Sequence, residues 1–537
     1  MKDFGTISFN FNIKSLENFF KNKTLFLLLF LLTAISVLSY IVFYQNGLGL
    51  AYNDARSHLD IGRRVVEGLK PGLAQLGSVW LPLTHAMMIP TIWNDFMWHS
   101  GLSGALWSMI GFVATGLLIY SFLKKLKVGI LGQIVGVLIF ALNLNILYLQ
   151  STAMTELVLI ATMTAGVYYL LQWAIDKKIT SIIASGFFIF LSTLVRYDGW
   201  FLLAMTTFII GIVAWYNFGK KSIEGLLFFF LTLSSFGIVL WFLWNALIFK
   251  DPLYFAFGPY SARTQQEQLQ QAGVLATKGN LWLSLKIYFY ALVYNSGALS
   301  VILGTIGAFV LWFDKKLSTQ VKVVSAALIA PLFFNVLALY LGHSVLFIQG
   351  LSGNTWFNVR YGVMLLPSLA IFIGYLVHKL KDFRLTIIGL LIFVNFFAIA
   401  NVDAVTIDDA RVGSSQKNVS QVAGWLHDHA QNNNDYVLIS VASHDAIIFS
   451  SGLPMKRFIH EGTGSYWESA TSAPDRWARY IIMRTNDVND QTFKLLKGNE
   501  ALLKYDLVLK GDFADIYEIK GEESKNLPKE PLKPIRK

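Results

Sequence analysis

Runs of mainly apolar residues recur along most of the chain, and each approaches the ~20 residues that a helix needs to cross a bilayer. Eleven candidates lie near 25–44, 101–122, 129–148, 155–174, 180–195, 200–217, 223–248, 296–313, 323–341, 360–377 and 385–401. The fifth is short and can be merged with the sixth, and the stretch 281–294 reads either as an interfacial helix or as a further span. Composition agrees with a lipid environment: 14% of the residues are charged, against about 25% in a soluble domain. The run from Leu25 lacks a small-residue cleavage site, so it reads as a retained anchor rather than a signal peptide. With no cysteine, the chain has no disulfide, no thiolate metal site and no Cys nucleophile.

The net charge of +11 is explained by topology. Lys124, Lys125 and Lys127, then Lys177 and Lys178, Lys220 and Lys221, Lys315 and Lys316, and Lys379, Lys381 and Arg384 fill one set of alternate short loops. The short loops of the other set, near 149–154 and 342–358, hold no Lys or Arg. The positive-inside rule puts the first set and the N-terminus in the cytoplasm of a plasma or inner membrane protein. The expected fold is therefore an all-α polytopic membrane bundle of about eleven spans with outer-face amphipathic helices and a small C-terminal α/β domain. Its expected parts are a cytoplasmic tail at 1–24, a membrane domain at 25–401 with outer loops at 45–100 and 250–295, an extracytoplasmic α/β domain at 402–522, and a disordered Pro- and Lys-rich tail at 523–537. Strands are expected at 435–442, 479–483 and 505–510, and a helix at 421–430.

The ionisable residues at the outer ends of the spans are the candidates for chemistry, because such groups at a membrane edge need a reason to be there. In the first outer loop, Asn53 or Asp54 can cap a helix running to about Leu69 along the membrane surface. Its Asp60/Arg64 and Arg63/Glu67 pairs read as a solvated face. Asp54 fits either a cap or a carboxylate base at the mouth of a cavity. Glu156, at the start of an apolar helix, is a hydrated interfacial group, a cap, or a group facing a polar cavity. Arg196 with Asp198, and Arg360, stand at one level. Each alone fits a snorkelling Arg, and together they fit a phosphate clamp. In the second outer loop Tyr260 can pack on sugar or lipid and Arg263 is a further anion candidate, while His343 alone fits a simple hydrogen-bonding group. Among sequence patterns, there is no Walker motif, no dinucleotide fingerprint, no H-E-x-x-H and no basic aromatic patch for nucleic acid.

The stretch "NDARSHLDIGRRV" (53–65) resembles the D-E-A-R-Y-x-E-I-A-R segment of the C-type polytopic glycosyltransferases, among them lipid A aminoarabinose transferases and protein O-mannosyltransferases. "WLPLTH" (80–85), "TAMTELVLI" (152–160) and "NVRYGVMLLPSLA" (358–370) are similar to further segments of that superfamily, in the same order. Three departures stand out: Asn53-Asp54 replaces the family's Asp-Glu, Leu157 stands where the family has Pro, and Leu369 or a neighbour replaces the final Pro.

The resemblance implies a sugar donor linked to polyprenyl phosphate, a membrane lipid, and an acceptor that is a protein, lipid or glycan. It implies Asp54 as the base, Arg196 and Arg360 on the departing phosphate, and Glu156, Asp198, His58, Tyr260, Arg263, His343 and Tyr361 as substrate-orienting groups. A single base acting in a direct displacement implies inversion. No metal ligand set is assigned, and a divalent metal stays open because members of the superfamily differ. The alternatives are a ligase or polymerase using a pyrophosphate-linked donor, and a non-enzymatic lipid-glycan transporter or flippase.

Overall fold

The computed structural model describes residues 13–528 except 219, 259–260, 272, 414–415 and 489. The expected N-terminal tail up to residue 12, Tyr260, and the C-terminal tail from 529 lie outside the described residues. Within the expected disordered stretch, Glu523–Asn526 forms a 3-10 turn.

All eleven apolar segments are helical, but they do not all span. Among the described residues seven helices are long and apolar enough to cross a membrane, or up to nine if each of two bent pairs is one span. Ile130–Ala141 and Ile179–Thr193 are too short alone. The expected count of eleven is therefore not reached by length among the described residues: apolar composition does not report helix length, and while Ile130–Ala141 is largely buried, Ile179–Thr193 buries one face and exposes Ile179, Ile183 and Phe187 on the other. The chain is an integral membrane protein. The stretch at 281–294 is the first half of a bent pair, Leu281–Ser296 followed by Ala298–Phe313, turned by 109° at Gly297. The other pair, Ile223–Ser234 and Phe236–Phe249, bends by 45°.

Close packing rests on glycines at helix crossings. A Cβ on Gly374 would meet the backbone oxygen of Gly132 at 2.6 Å, and one on Gly111 would meet that of Leu157 at 2.6 Å. Small residues let backbones approach where lipid supplies no hydrophobic drive between helices. The span Val359–Lys379 carries Arg360 in its first turn and Lys379 in its last. A helix of that length covers about 30 Å, the thickness of a hydrocarbon core. At the Lys379 end the basic loops gather: Lys379 pairs with Asp314, Tyr375 Oη donates to Asp314 Oδ2 at 2.5 Å, and the Gly129 amide donates to His378 Nδ1 at 3.1 Å. The ammonium and hydroxyl hold the Asp314 carboxyl well below the usual range. The two ends of the bundle thus differ in chemistry as the loop charges predict.

After the last apolar helix, Arg384–Ala400, the chain turns back onto the bundle. The Thr406 amide and hydroxyl both donate to Asn145 Oδ1, at 3.0 and 2.8 Å. The α/β part begins with the Gln416–Ala430 helix, and five strands form one sheet: β1 (Tyr436–Leu438), β2 (Phe458–Ile459), β3 (Ala478–Met483), β4 (Tyr505–Leu509) and β5 (Asp515–Ile519). Their order is β2-β1-β3-β5-β4. β1 runs parallel to β2 and β3, and β5 runs antiparallel to β3 and β4. Three strands match the apolar runs expected from sequence. β2 is two residues long, and β5 carries Asp515 and Glu518, so neither had a run long or apolar enough to be read.

Asp490 starts the Gln491–Leu496 helix by accepting from the Phe493 amide at 2.7 Å, and it lies 3.4 Å from His444 Nε2. Burial, only partly opposed by these amides, pushes its carboxyl from 3.8 up to about 6. The folded state therefore prefers the protonated acid. The associated stabilisation is complete below the unfolded value and is lost as pH rises through about 6. Asp490→Asn keeps the cap and removes the titration. Thermal unfolding of the variant between pH 4 and 7 should vary less with pH than that of the parent, by on the order of 1–3 kcal/mol. Identical pH dependence would show that the carboxyl does not titrate in this range.

Candidate active site

Four carboxylates converge on two guanidinium groups at the end of the bundle opposite the lysine loops. The convergence is built by local structure. Asn358 adopts a left-handed conformation, φ 55°, and starts the 3-10 turn Val359–Leu365 that carries Arg360 and Tyr361. Asn295, beside the 109° bend, donates to the Val359 carbonyl at 2.7 Å and fixes that turn. The carbonyl of Asn295 in turn accepts from Asn143 and Asn145, at 2.8 and 3.1 Å. Glu156 opens its helix at a positive N-terminal end, where a carboxylate is stabilised. Asp409 arrives from the segment that folds back after the last apolar helix.

Arg360 is the centre. Its Nε donates to Glu156 Oε1 at 3.0 Å, its Nη2 donates to Asp54 Oδ2 at 2.5 Å, and its Nη1 lies 3.8 Å from Asp409 Oδ2. Its guanidinium carbon stands 5.0 Å from the Tyr52 ring centre and 5.3 Å from that of Tyr361. Tyr52 Oη donates to Asp409 Oδ2 at 3.1 Å and completes the enclosure. Arg196 is held more loosely, 3.5 Å from Glu156 Oε1 and 3.4 Å from Asp198 Oδ2, with its carbon 4.8 Å from the Tyr361 ring centre. Both arginines therefore share one carboxylate oxygen and one aromatic ring.

Exposure separates the acids. Glu156 and Asp198 side chains are 0% and 3% exposed and Asp409 is 2% exposed, whereas Asp54 keeps 41%. Glu156 Oε2 is buried and has no hydrogen-bond partner among the described residues. Four carboxylates against two guanidiniums leave an excess of negative charge when all are ionised. The arginine N–H groups are therefore already engaged by carboxylates. An incoming phosphate must compete for their N–H groups, and Asp54 is the accessible competitor. Among the described residues no group of three or more His, Asp or Glu is placed to hold a metal ion. The carboxylates face guanidinium groups instead.

The helix Asn53–Val66 brings Asp54 to this cluster. Tyr52 stands at its N-cap position without a side-chain cap bond, so Asp54 is a first-turn residue and not the cap. Two further expectations are corrected. The helix stops at Val66. Its polar side is not solvated, because the segment 92–98 covers Arg63 and Asp60 and the α/β part covers Arg64: Asp60 is 0%, Arg63 7% and Arg64 9% exposed. Asp60 accepts from Trp98 Nε1 at 3.1 Å rather than pairing with Arg64, while Arg63 does meet Glu67, Nε to Oε2 at 2.6 Å. One turn after Asp54, His58 packs against Trp80 with ring centres 4.4 Å apart, and its Nδ1 lies 2.7 Å from His85 Nε2. Burial first, then the charges of Arg360 and Arg196, push His58 down to about 3, so it is a neutral imidazole near pH 7.

The structure brings together Asp54, Glu156, Arg196, Asp198, Arg360 and Tyr361, with His58 beside them. Arg263 and His343 stay apart: Arg263 pairs with Glu267 at 2.9 Å on an exposed helix, and His343 is exposed in the turn after Tyr340. Proximity along an outer loop does not bring a side chain to a site when the loop's own helix satisfies it. Tyr52 and Asp409 were not anticipated. The one sequence signal for Asp409 was an acid pair, Asp408-Asp409, just past the last apolar run.

No protein-family model and no curated protein matches the sequence. Solved structures do. ArnT from Cupriavidus metallidurans bound to undecaprenyl phosphate superposes with a TM-score of 0.55 at 10% identity, over 91% of this chain and 98% of that one. ArnT from the same organism in the apo state gives 0.54 at 11% identity over the same shares. The chain shares the fold of ArnT. The match spans the membrane bundle and the C-terminal α/β part together, so both belong to the shared architecture. The likeness is one of fold, at an identity too low for sequence comparison to register.

Proposed function

We propose that the protein is a membrane glycosyltransferase that moves a sugar from a polyprenyl-phosphate-linked donor to an acceptor hydroxyl. The Lys-rich loops place the cluster at the outer face by the positive-inside rule. The observation that carries the reading is the pairing of one accessible carboxylate, Asp54, with Arg360 in a cluster that also holds Arg196. The fold shared with ArnT, a protein solved with undecaprenyl phosphate, favours a lipid phosphate as the group those arginines meet. Such a lipid stays in the bilayer, and a site at the membrane edge meets its head group there.

The chemistry follows from the exposure pattern. The donor phosphate takes the Arg360 N–H that Asp54 now holds, and Arg196, with its longer contacts, turns toward the same anion. Asp54, released, accepts the proton of the acceptor hydroxyl as that oxygen attacks the anomeric carbon. The bond to the phosphate oxygen breaks and its electrons stay on the phosphate, where the guanidiniums stabilise the charge. One displacement inverts the anomeric carbon. Glu156 Oε2, buried and unpartnered, is available to accept a sugar hydroxyl, and Asp198 holds Arg196. His58 and Trp80 form the wall beside them.

The two broken helix pairs favour a second reading, a transporter, because transporters place binding sites at helix breaks. Here the ionisable cluster lies at helix ends, and the break at Gly297 carries asparagines that brace the Arg360 turn. Release of polyprenyl phosphate from a polyprenyl-phosphate sugar by the detergent-purified protein separates the readings, because a transporter leaves the donor intact, and mass spectrometry of cell-envelope glycans with and without the protein tests the pathway. A transferase deletion should remove one sugar from a glycan, lipid or protein. Unchanged glycans would reject the enzyme.

A further inference from the structure

The helix carrying Asp54 is anchored near its C-terminal end and needs a second hold at its first turns. It is 14 residues long and starts without a side-chain cap. Isolated helices of that length are marginal. Its apolar side, with Ala55 and Leu59, is buried, and near its C-terminal end Arg63 donates to the Ile92 and Trp93 carbonyls at 2.8 and 2.7 Å and to Asp95 at 2.6 Å, which leaves the first turn, with Asp54, to be held from the other side. Rotation matters because Asp54 stands roughly 6 Å off the axis, so a turn of about 20° moves its carboxylate ~2 Å. A misplacement of about 1 Å can cost 10²-fold in rate.

The opposite side is gripped by the Val441–Ser451 helix of the α/β part. Asp445 accepts from Ser57 Oγ through Oδ1 at 2.5 Å and pairs through Oδ2 with Arg64 Nη1 at 3.5 Å. Ser57 and Arg64 are seven residues apart, two turns along one face. One carboxylate therefore bridges two turns. Farther along the same helix, Ser450 Oγ accepts from Arg56 Nη1 at 2.8 Å, and Arg56 Nε donates to the Leu50 carbonyl at 2.9 Å. The carboxylate is 9% exposed and Ser57 8%. A buried acid with both oxygens engaged by a neighbouring element holds that element in one rotation.

We propose that Asp445 is a positioning residue for Asp54, and that the α/β part is a structural half of the active site. The inference rests on the reading of Asp54 as the base, but its test does not need transfer. The chain has no cysteine, so a thiol placed by Asp54→Cys in the full-length protein is unique. Its rate of modification by a water-soluble methanethiosulfonate reports where position 54 points. Adding Asp445→Ala should change that rate about tenfold or more.

In a parallel pair, Ala478→Cys with and without Asp445→Ala, the buried strand thiol should remain protected, which shows the α/β part still folded. If it becomes reactive, Ser57→Ala decides, because it removes the same bond from the membrane side. Asp445→Glu, which can restore a carboxylate contact, should return the rate part of the way. A position-54 rate within twofold of the parent in Asp445→Ala with 478 protected, or in Ser57→Ala, overturns the proposal. Failure of Asp54→Asn to stop transfer would instead overturn the reading of the base while leaving the positioning result intact.

Discussion

Asp54→Asn is expected to lower sugar transfer by about 10²–10⁴-fold, the usual contribution of a positioned base, while the donor lipid stays bound. The amide has nearly the shape of the carboxylate but cannot take the acceptor proton. It still offers an oxygen to Arg360, yet a neutral acceptor bonds a guanidinium about half as strongly as an ionised one. Since the carboxylate now occupies Arg360 Nη2 at 2.5 Å, removing its charge weakens the phosphate's competitor. Undecaprenyl phosphate should bind the variant at least as tightly as the parent, measured on detergent-purified protein by native mass spectrometry. Transfer that survives the substitution would leave Asp54 without a catalytic role. Lost lipid binding would mean that the carboxylate contacts the donor directly. A transporter would keep moving lipid, since its flux does not depend on a base.

Arg360 should be less forgiving. Arg360→Met leaves Glu156, 0% exposed, and Asp409, 2% exposed, facing an apolar side chain. Breaking a buried pair from one side costs about 3–5 kcal/mol, because the remaining charge is left uncompensated. That is a large share of the stability of an ordinary domain, so reduced yield and early thermal unfolding are expected. Arg360→Lys keeps the charge and separates stability from function. An ammonium is compact and cannot reach three carboxylates from one planar fork. The variant should fold, but undecaprenyl phosphate should bind roughly 10- to 100-fold more weakly, the worth of one or two hydrogen bonds to a charged group. Unchanged binding by the lysine variant would remove the guanidinium from the donor site.

The order of the apolar runs, the alternation of lysine loops and the short segments around Asp54, Glu156 and Arg360 were legible because each is a local pattern. Periodicity in a short window reports an element, and loop charge reports a side. The limits of such patterns appear at particular residues. Ile130–Ala141 and Ile179–Thr193 read as spans because apolar composition runs on past the point where the helix itself ends. The face with Asp60, Arg63 and Arg64 read as solvated because i,i+4 charge pairs usually are. No local pattern announced that residues 92–98 of the same outer loop and the Val441–Ser451 helix close over it.

The same holds for the cluster itself. Arg196 and Arg360 were placed at one level by helix parity, but their partners could not be assigned. Asp409 reaches Arg360 only because the chain folds back after its last apolar helix, and Tyr52 joins the cluster through its ring beside Arg360 and its hydroxyl on that returning segment. By itself the sequence determined that this is a membrane protein with charged groups at one end of its helices, because the bilayer makes apolar length and loop charge nearly sufficient rules. Only the tertiary structure decided which charges meet. Asp54 and Arg360 are 306 residues apart, and a pairing across that separation depends on how helices cross, turn back and are covered, which no local propensity encodes.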